Sequence, residues 1–375
     1  MAVLVDLPPE LLLHIISFLA EMSIVDKKKW LPRSGPRYRE LIPDLTSINA
    51  LSQANSYLHH ILNQSLYDLC ASVESLGQVS LLSAAKLELA DSIEKIVAAG
   101  VSPDNEFMFE NRYCSLLHVV SALGLRMTVL KLVEMYGRDV GSKVYAPMAL
   151  FPHSSALDYA ARRGHLEIVR ILAPAPIPPP SDSQASSTYT RYLSLALIEA
   201  AKGCHRAVCD CLVSQGADAN FLDDRYEHCF PLLYAVIKDD LQVVQLLLSA
   251  GADPNAARGA VLFKAIAHVH SGFRPDILET LLAAGLDLHV RDPLRQHNVL
   301  GICANVALVR FLLVRGVDPN ARDSMGRTSL HHAYSLSPRN LSQQIVELLL
   351  QFGALPDIAD YEGVTPMEMR RRQAM

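Results

Sequence analysis

A short unit between residues 230 and 255, FPLLYAVIKDDLQVVQLLLSAGADPN, constrains the fold of this chain more than any other feature. Its apolar residues recur at helical spacing in two runs, and the first opens with Pro231, where a helix needs no N–H donor. Gly251 follows the second run, and glycine commonly ends a helix because it adopts the left-handed conformation without strain. Residues 253–255 (Asp-Pro-Asn) then predict a turn. Two such short helices cannot bury an apolar face alone, so the sequence predicts a stack of similar units.

Copies of this unit recur along the chain from about residue 80. Segments similar to its first six residues begin at eight other positions: Ser80, Ser115, Ser155, Leu195, Ala260, Asn298, Thr328 and Thr365. Successive copies start 30 to 40 residues apart, close to the ~33 residues of ankyrin repeats and the ~34 of tetratricopeptide repeats. The spacing therefore predicts a repeat protein but does not separate these two classes.

Residue identity separates them. Three second helices end alike, in GADAN at 216–220, GADPN at 251–255 and GVDPN at 316–320, and AARRGHLEIV at 160–169 joins two helices. In these segments the chain resembles the ankyrin family over about residues 80 to 370. The resemblance implies an all-α fold over residues 70–375, a solenoid of eight helix–turn–helix units plus a terminal half-unit, which binds other proteins.

Two features interrupt the regular pattern. A Pro- and Ser-rich insert over residues 174–190 replaces the connection after the third unit, and we expect its first part, residues 174–184, to be extended and mobile. Docking of a partner on this proline-rich segment is the alternative. Few residues separate Cys303 from the second helix of the seventh unit, which predicts a shortened first helix.

Composition excludes several classes of function. A formal net charge of −5 gives no general attraction to nucleic acid or an anionic membrane. Seven cysteines without paired spacing favour a reducing compartment. The apolar run from Leu11 to Ala20 has no cationic segment before it and falls short of the ~18 apolar residues of a membrane span. We expect a cytoplasmic or nuclear protein, or one present in both.

The N-terminal sequence carries a second pattern. Residues 5–20 read VDLPPELLLHIISFLA, with a Pro pair at the predicted helix start and an apolar stripe at helical spacing. A second helical stretch follows from Asp44, DLTSINALSQANSYLHHILN.

These stretches resemble an F-box over residues 1–69, in which LPPELL at residues 7–12 matches the opening Leu-Pro-x-Glu-Leu-Leu of that family. The resemblance implies docking on the Skp adaptor of cullin-based ubiquitin ligases. Carried over by position, the adaptor-binding residues are Leu7, Pro8, Leu11, Leu12, Ile15, Ile16, Leu19 and Leu45, with Ile48 and Leu51 behind them. An F-box followed by ankyrin repeats looks like an arrangement common in filamentous fungi.

Residues 22–43 depart from the F-box pattern, because they stand where a short connection is usual. This insert contains the only tryptophan, Trp30, and six cationic residues. A solvated surface insert is the plainer interpretation, and a nuclear-import or acidic-partner patch is the alternative. The apolar stripe before it has its own alternative, which is a cap over the first repeat.

The sequence contains none of the motifs that indicate catalysis or a cofactor. Phosphate-loop, dinucleotide-binding, His-Glu-x-x-His and Gly-x-Ser-x-Gly patterns are missing. Cys204, His205, Cys209, Cys211, His228 and Cys229 come nearest to a metal set, but Cys209 and Cys211 fall at apolar core positions. His118 and His331 occupy the histidine position of the ankyrin opening, where the resemblance implies structural hydrogen bonds. We expect no enzyme activity, no cofactor and no metal.

Function is therefore sought at the tips of the connections between units. Three candidate tips are residues 221–228, 291–297 and 322–327. The candidate target-binding residues are Phe221, Tyr226, His228, Arg291, Arg295, Arg322 and Arg327, the aromatic ones as interface anchors. Solvated loops without a partner are the alternative for each tip.

These observations predict a substrate-recognition subunit of a cullin–Skp–F-box ubiquitin ligase. The F-box would hold the Skp adaptor, and through it the cullin, while the repeats would hold an unidentified target protein. We expect no nucleic acid or membrane partner, and a monomer outside the complex. The alternative function is an ankyrin-repeat interaction scaffold without a ligase role.

Overall fold

The computed structural model describes residues 74–109, 112–137, 140–144, 155–173, 183–223, 229–267, 275–335 and 339–374. The chain divides into two compact units, residues 1–174 and 175–375. The predicted N-terminal helices, the insert at 22–43 and all the predicted adaptor-binding residues lie outside the described residues.

The described part of the first unit contains three helix pairs, a short hairpin and a short extra helix. The pairs are α1 (Glu74–Lys86) with α2 (Ala90–Ala98), α3 (Leu116–Leu123) with α4 (Arg126–Tyr136), and α6 (Ala156–Arg163) with α7 (Leu166–Leu172). Strands β1 (Phe107–Phe109) and β2 (Arg112–Cys114) pair antiparallel between the first two pairs, and α5 (Val140–Val144) follows α4.

Five further helix pairs and a terminal helix make up the described part of the second unit. The complete pairs are α8 (Ser183–Lys202) with α9 (Arg206–Ser214), α10 (Pro231–Ile237) with α11 (Leu241–Ser249), and α12 (Ala256–Ala267) with α13 (Pro275–Ala283). A 3₁₀ helix (Val299–Ile302) pairs with α14 (Val306–Val314), α15 (Ser329–Tyr334) pairs with α16 (Arg339–Gln351), and α17 (Pro366–Ala374) ends the series. The described residues thus contain eight helix pairs and a terminal helix, and the first helix of the seventh pair is shortened as predicted.

Helix α11 shows why the repeated sequence folds in this way. One carboxylate oxygen of Asp240 accepts the N–H groups of Gln242 and Val243, both at 3.1 Å, and so caps the start of the helix. The apolar positions Val243, Val244 and Leu247 are fully buried, and burial of such side chains stabilises a fold by about 1.5–3 kcal/mol each. Helix α11 thus contributes its apolar face to the core of the second unit.

Asparagine side chains join successive helix pairs at the ends of the second helices. Asn220 donates from Nδ2 to the carbonyl oxygen of Gly251 (2.8 Å), and its Oδ1 accepts the N–H of Asp253 (2.7 Å). The same two bonds link Asn255 to Gly285 and Asp287 (2.9 and 2.8 Å) and Asn320 to Gly353 and Leu355 (2.9 and 2.8 Å). We call these three bridges the asparagine ladder.

The asparagine ladder is interrupted once. His289 occupies the equivalent position after α13, and the described residues include no hydrogen bond from its side chain. In the unit that follows, Asn298 donates from Nδ2 to the carbonyl oxygen of Asp318 at 2.7 Å. The interruption therefore lies just before the seventh helix pair, whose first helix is only a 3₁₀ turn.

Two histidines also join neighbouring helix pairs. His331 is fully buried, and its Nδ1 accepts the N–H of Thr328 at 2.9 Å, so Nε2 carries the proton and donates to the carbonyl oxygen of Val364 at 3.1 Å. This confirms the structural role expected for that position. His165 has a similar link that the sequence did not suggest, with Nε2 lying 3.0 Å from the carbonyl oxygen of Ala122.

Two parts of the sequence prediction need correction. The fold is mostly helical rather than all-α, because aromatic residues around Phe107 and Tyr113 favour strands and form the β1–β2 hairpin. Residues 183 and 184, predicted to be extended, belong to α8, which begins inside the insert predicted over residues 174–190. No proline follows Pro180 in that segment, so nothing prevents a helix from starting at Ser183. Residues 174–182 lie outside the described residues.

Candidate protein-binding surface

Three consecutive connections in the second unit, which we call fingers, are each closed by a backbone hydrogen bond from the N–H of an aspartate. The first, residues 291–297, is closed by the N–H of Asp292 donating to the carbonyl oxygen of His297 (3.0 Å). The second, residues 322–327, is closed by Asp323 and Arg327 in the same way (2.9 Å). In the third, residues 359–364, Asp360 pairs with Val364 (2.9 Å). The first turn is one residue longer than the other two, and the three tips follow one another along the array.

The aspartate that opens each finger holds its tip. Oδ1 of Asp323 accepts the N–H groups of Met325 and Arg327, both at 2.8 Å. Oδ1 of Asp292 accepts those of Leu294 and Arg295 (3.0 and 2.6 Å), and Oδ1 of Asp360 those of Glu362 and Val364 (3.0 and 2.9 Å). Burial acts to raise the pKa of Asp323, but the two N–H donors and the His332 ring outweigh it and lower that pKa below its usual range. The carboxylate is therefore ionised at neutral pH.

Backbone hydrogen bonds also join the fingers to one another. The N–H of Ser324 donates to the carbonyl oxygen of Arg295 at 2.9 Å, and that of Tyr361 donates to the carbonyl oxygen of Met325 at 3.0 Å. Gly326 allows the second contact, since a Cβ at its position would lie 2.9 Å from both the backbone nitrogen and a ring carbon of Tyr361. The three tips form one continuous edge.

Two of the predicted target-binding arginines take part in this edge. The guanidinium of Arg291 donates to the carbonyl oxygens of Arg322 (2.6 Å) and Gln296 (3.2 Å). Nε of Arg327 lies 3.6 Å from a carboxylate oxygen of the buried Asp360. Both side chains contact neighbouring parts of the array.

The other two predicted arginines, Arg295 and Arg322, are exposed at the tips of the first two fingers. Three apolar or aromatic side chains, which sequence reasoning did not select, are exposed beside them. Leu294 is 88% exposed, Met325 47% and Tyr361 71%. Leu294 and Met325 lie within two of the tips that the sequence predicts, but the repeat pattern does not predict which tip residues face solvent.

The earlier connection, residues 221–228, is only partly described. Phe221 is half-buried, and its ring centroid lies 5.9 Å from the guanidinium carbon of Arg191. The predicted aromatic anchor Phe221 therefore lies close to the Arg191 guanidinium of its own helix pair. Tyr226 and His228 lie outside the described residues.

A pair of histidines lies beneath the first two fingers. Nε2 of His332 lies 3.0 Å from a carboxylate oxygen of Asp323, and the ring of His297 packs edge-on against it, with centroids 6.1 Å apart. Gly301 makes room, because a Cβ there would lie 3.2 Å from His297. Burial lowers the pKa of His332, although Asp323 opposes the shift. The His332–Asp323 contact thus fastens the second finger to α15.

The cysteines that come nearest to a metal set are dispersed. Cys209 is buried in the core, as predicted, and burial raises its pKa to about 12. Cys211 is only half-buried rather than a core residue, and Cys204 is exposed. Sγ of Cys229 lies 3.0 Å from the hydroxyl oxygen of Tyr234. In the part of the chain that the structure describes, no three His, Cys, Asp or Glu side chains are grouped to hold a metal ion.

Within the described ranges, every helix is too short or too polar to span a bilayer.

Comparison with known families agrees with this architecture. Residues 157–258 and 197–292 match the family described as "Ankyrin repeats (3 copies)", and residues 325–361 match "Ankyrin repeat". The Putative ankyrin repeat protein YahD of Escherichia coli (strain K12) is 30% identical over 183 residues, which are 47% of this chain and 88% of that protein. The chain belongs to the ankyrin-repeat family. The predicted ankyrin resemblance is thereby confirmed, and the fingers described above are those of an ankyrin array.

Other relatives match smaller parts of longer proteins. Ankyrin repeat and KH domain-containing protein mask-1 of Caenorhabditis elegans is 24% identical over 289 residues, 75% of this chain and 11% of that protein. Human Ankyrin repeat and SOCS box protein 16 is 31% identical over 192 residues, 44% of this chain and 38% of that protein. The chain therefore spans well under half the length of these two relatives. The crystal structure of the human ASB11 ankyrin repeat domain has a TM-score of 0.46 and 22% identity, and the match covers 58% of this chain and 91% of that domain.

Proposed function

We propose that this protein is the substrate-recognition subunit of a cullin–Skp–F-box ubiquitin ligase. The observation that carries the proposal is that one chain combines a segment resembling an F-box with an ankyrin array. Residues 7–12 (LPPELL) match the opening of an F-box, and the ankyrin array supplies a surface of the kind that binds proteins.

In this proposal each module makes one contact. Residues 1–69 bind the Skp adaptor through the apolar residues Leu7, Pro8, Leu11, Leu12, Ile15, Ile16, Leu19 and Leu45. The ankyrin array binds the target protein. The chain itself forms no covalent bond and requires no cofactor. It raises the effective concentration of the target near the ubiquitin-loaded conjugating enzyme.

The name of one relative supports this pairing. Human Ankyrin repeat and SOCS box protein 16 combines ankyrin repeats with a second, named module, as this chain combines them with a segment that resembles an F-box. In the same proposal the protein is cytoplasmic, nuclear or both, and it is a monomer outside the complex.

A pull-down of the purified full chain with the Skp adaptor tests the proposal. Wild type is compared with the double variant Leu11→Asp/Ile15→Asp, which places two charges in the apolar stripe. The control is Ser17→Asp, because Ser17 lies in the same segment but outside the stripe. We expect wild type and the control to bind the adaptor, and the double variant to lose binding while it keeps its helical circular dichroism signal.

Two results contradict the proposal. Failure of the wild-type chain to bind the adaptor leaves an ankyrin-repeat scaffold without a ligase role as the better description. A double variant that loses thermal stability throughout the chain indicates that the stripe caps the first repeat, since a buried cap contributes to folding and a docking surface does not.

A further inference from the structure

We propose that the joined fingertips bind an acidic protein segment that also carries apolar side chains. The surface concerned, which we call the fingertip ridge, consists of Arg291, Leu294, Arg295, Arg322, Met325 and Tyr361. The inference rests on the proposed protein-binding function of the array and specifies the chemistry of the partner.

Exposed apolar side chains are the first observation. Leu294 is 88% exposed at the first fingertip, Met325 is 47% exposed at the second, and Tyr361 is 71% exposed at the third. Single exposed apolar residues are ordinary on a protein surface. Here one stands at each of three tips that are hydrogen-bonded in a row, so together they line one edge.

The charge beside them is the second observation. The first two fingers, residues 291–297 and 322–327, contain four arginines and two aspartates. The aspartates, Asp292 and Asp323, face their own turns, where each accepts two backbone N–H groups. Arg295 and Arg322 are exposed. The outward charge of these two tips is therefore positive, whereas the third tip exposes Glu362 beside Tyr361. The charge thus favours an acidic partner at the first two tips.

The rigidity of the ridge is the third observation. Backbone hydrogen bonds join the first tip to the second and the second to the third. The guanidinium of Arg291 also spans two fingers by donating to the carbonyl oxygen of Arg322. A surface already held in place loses less conformational entropy on binding, so an acidic segment can bind it without reordering the loops.

A nucleic acid is the other class of acidic partner. It fits less well, since nucleic-acid interfaces are polar and strongly basic. The whole chain carries a formal net charge of −5, and the most exposed side chain at the first tip is Leu294. Leu294 lies between Arg291 and Arg295, and Met325 lies between Arg322 and Arg327. These two tips match a peptide that alternates carboxylates with aliphatic residues.

Fluorescence anisotropy with the purified full chain tests the proposal. The probe is a fluorescein-labelled peptide of the repeating sequence Asp-Leu-Glu. Two control peptides repeat Asn-Leu-Gln, which removes the charge, and Asp-Ser-Glu, which removes the apolar side chains. A labelled single-stranded DNA oligonucleotide is the fourth probe.

Two variants alter the ridge separately. Arg295→Glu/Arg322→Glu reverses its charge, and Leu294→Ser/Met325→Ser removes apolar area at exposed positions where folding is least affected. The control, Arg126→Glu/Arg310→Glu, reverses two exposed arginines outside the fingers.

We expect the Asp-Leu-Glu peptide to bind wild type most tightly and less tightly as salt is added. The charge reversal should weaken binding at least about tenfold, because attractive contacts become repulsive. The apolar variant should weaken it about three- to tenfold, since less apolar area is removed from water. The control variant should bind as wild type does.

Four results overturn the proposal: no binding of the Asp-Leu-Glu peptide, unchanged binding by both ridge variants, an equal loss in the control variant, or tighter binding of the DNA. The assay contains no Skp adaptor, so its failure leaves the adaptor result unaffected. A failed adaptor pull-down likewise leaves the peptide result unaffected.

Discussion

Replacement of Asn255 by alanine should weaken the junction between two neighbouring repeats. The side chain makes two bonds across that junction, from Nδ2 to the carbonyl oxygen of Gly285 (2.9 Å) and from the N–H of Asp287 to Oδ1 (2.8 Å). A net contribution of about 0.5–1.5 kcal/mol per hydrogen bond gives about 1–3 kcal/mol for the two. Water can reach these exposed groups after the substitution, so we expect the lower part of that range, about 1–2 kcal/mol.

Native-state hydrogen exchange measures this effect at one amide. The N–H of Asp287 donates to Asn255, so in the Asn255→Ala variant its protection should fall by a factor of about 5–30. Urea unfolding followed by circular dichroism should show a loss of similar free energy. Local exchange is the more direct measurement, because repeat arrays need not unfold in a single step.

The chain offers a matched control at the same position of the next repeat. His289→Ala should cost less than about 0.5 kcal/mol, because the described residues include no hydrogen bond from the His289 side chain. An equal loss of stability in both variants, or unchanged protection of Asp287 in Asn255→Ala, would refute the reasoning.

Two further predictions concern the fingers. Gly326→Ala should destabilise the array by about 1–3 kcal/mol, because φ is +79° and the added Cβ would meet Tyr361 at 2.9 Å. Gly353→Ala is the control, because φ is +86° but no atom lies within 4 Å of the added Cβ. It should lower the free energy of unfolding in urea by only about 1 kcal/mol. Equal losses in the two variants would contradict the role assigned to the Gly326–Tyr361 contact. Burial lowers the pKa of His332 in the folded protein, and Asp323 opposes this shift. The neutral imidazole therefore contributes to stability above the ordinary pKa of about 6.5, and this contribution is lost as the pH falls through the pKa of the folded state. The stability difference between wild type and His332→Asn should therefore shrink as the pH falls below about 6.5, and a pH-independent difference would contradict this assignment.

The helix pairs were predictable because their signals are local. The apolar periodicity and the terminal glycine, such as Gly251, both lie within a single repeat. The shortened helix before Cys303 was predictable because few residues separate Cys303 from the next helix. The start of α8 at Ser183 was not predicted, since the proline-rich composition before it suggested that the extended segment continued.

Contacts between repeats were less predictable. The motif that contains Asn220 was visible in the sequence, but its partner Gly251 lies in the next unit, and only stacking brings the two together. The same limit applies to the candidate surface. The sequence placed Arg291 and Arg295 on one finger, yet only the stacked fingers show that Arg291 contacts its neighbour while Arg295 faces solvent.

The asparagine ladder and the fingertip ridge occupy different residues of the same array. Asn255 and Asn320 set the spacing of repeats at the ends of second helices, whereas Leu294 and Met325 lie on the connections beyond them. The exposed side chains of Leu294 and Met325 can therefore be exchanged without altering the ladder. This arrangement makes the chain a candidate for retargeting, in which exposed tip side chains are replaced while the ladder, Gly326 and the aspartates that hold the fingers are left intact.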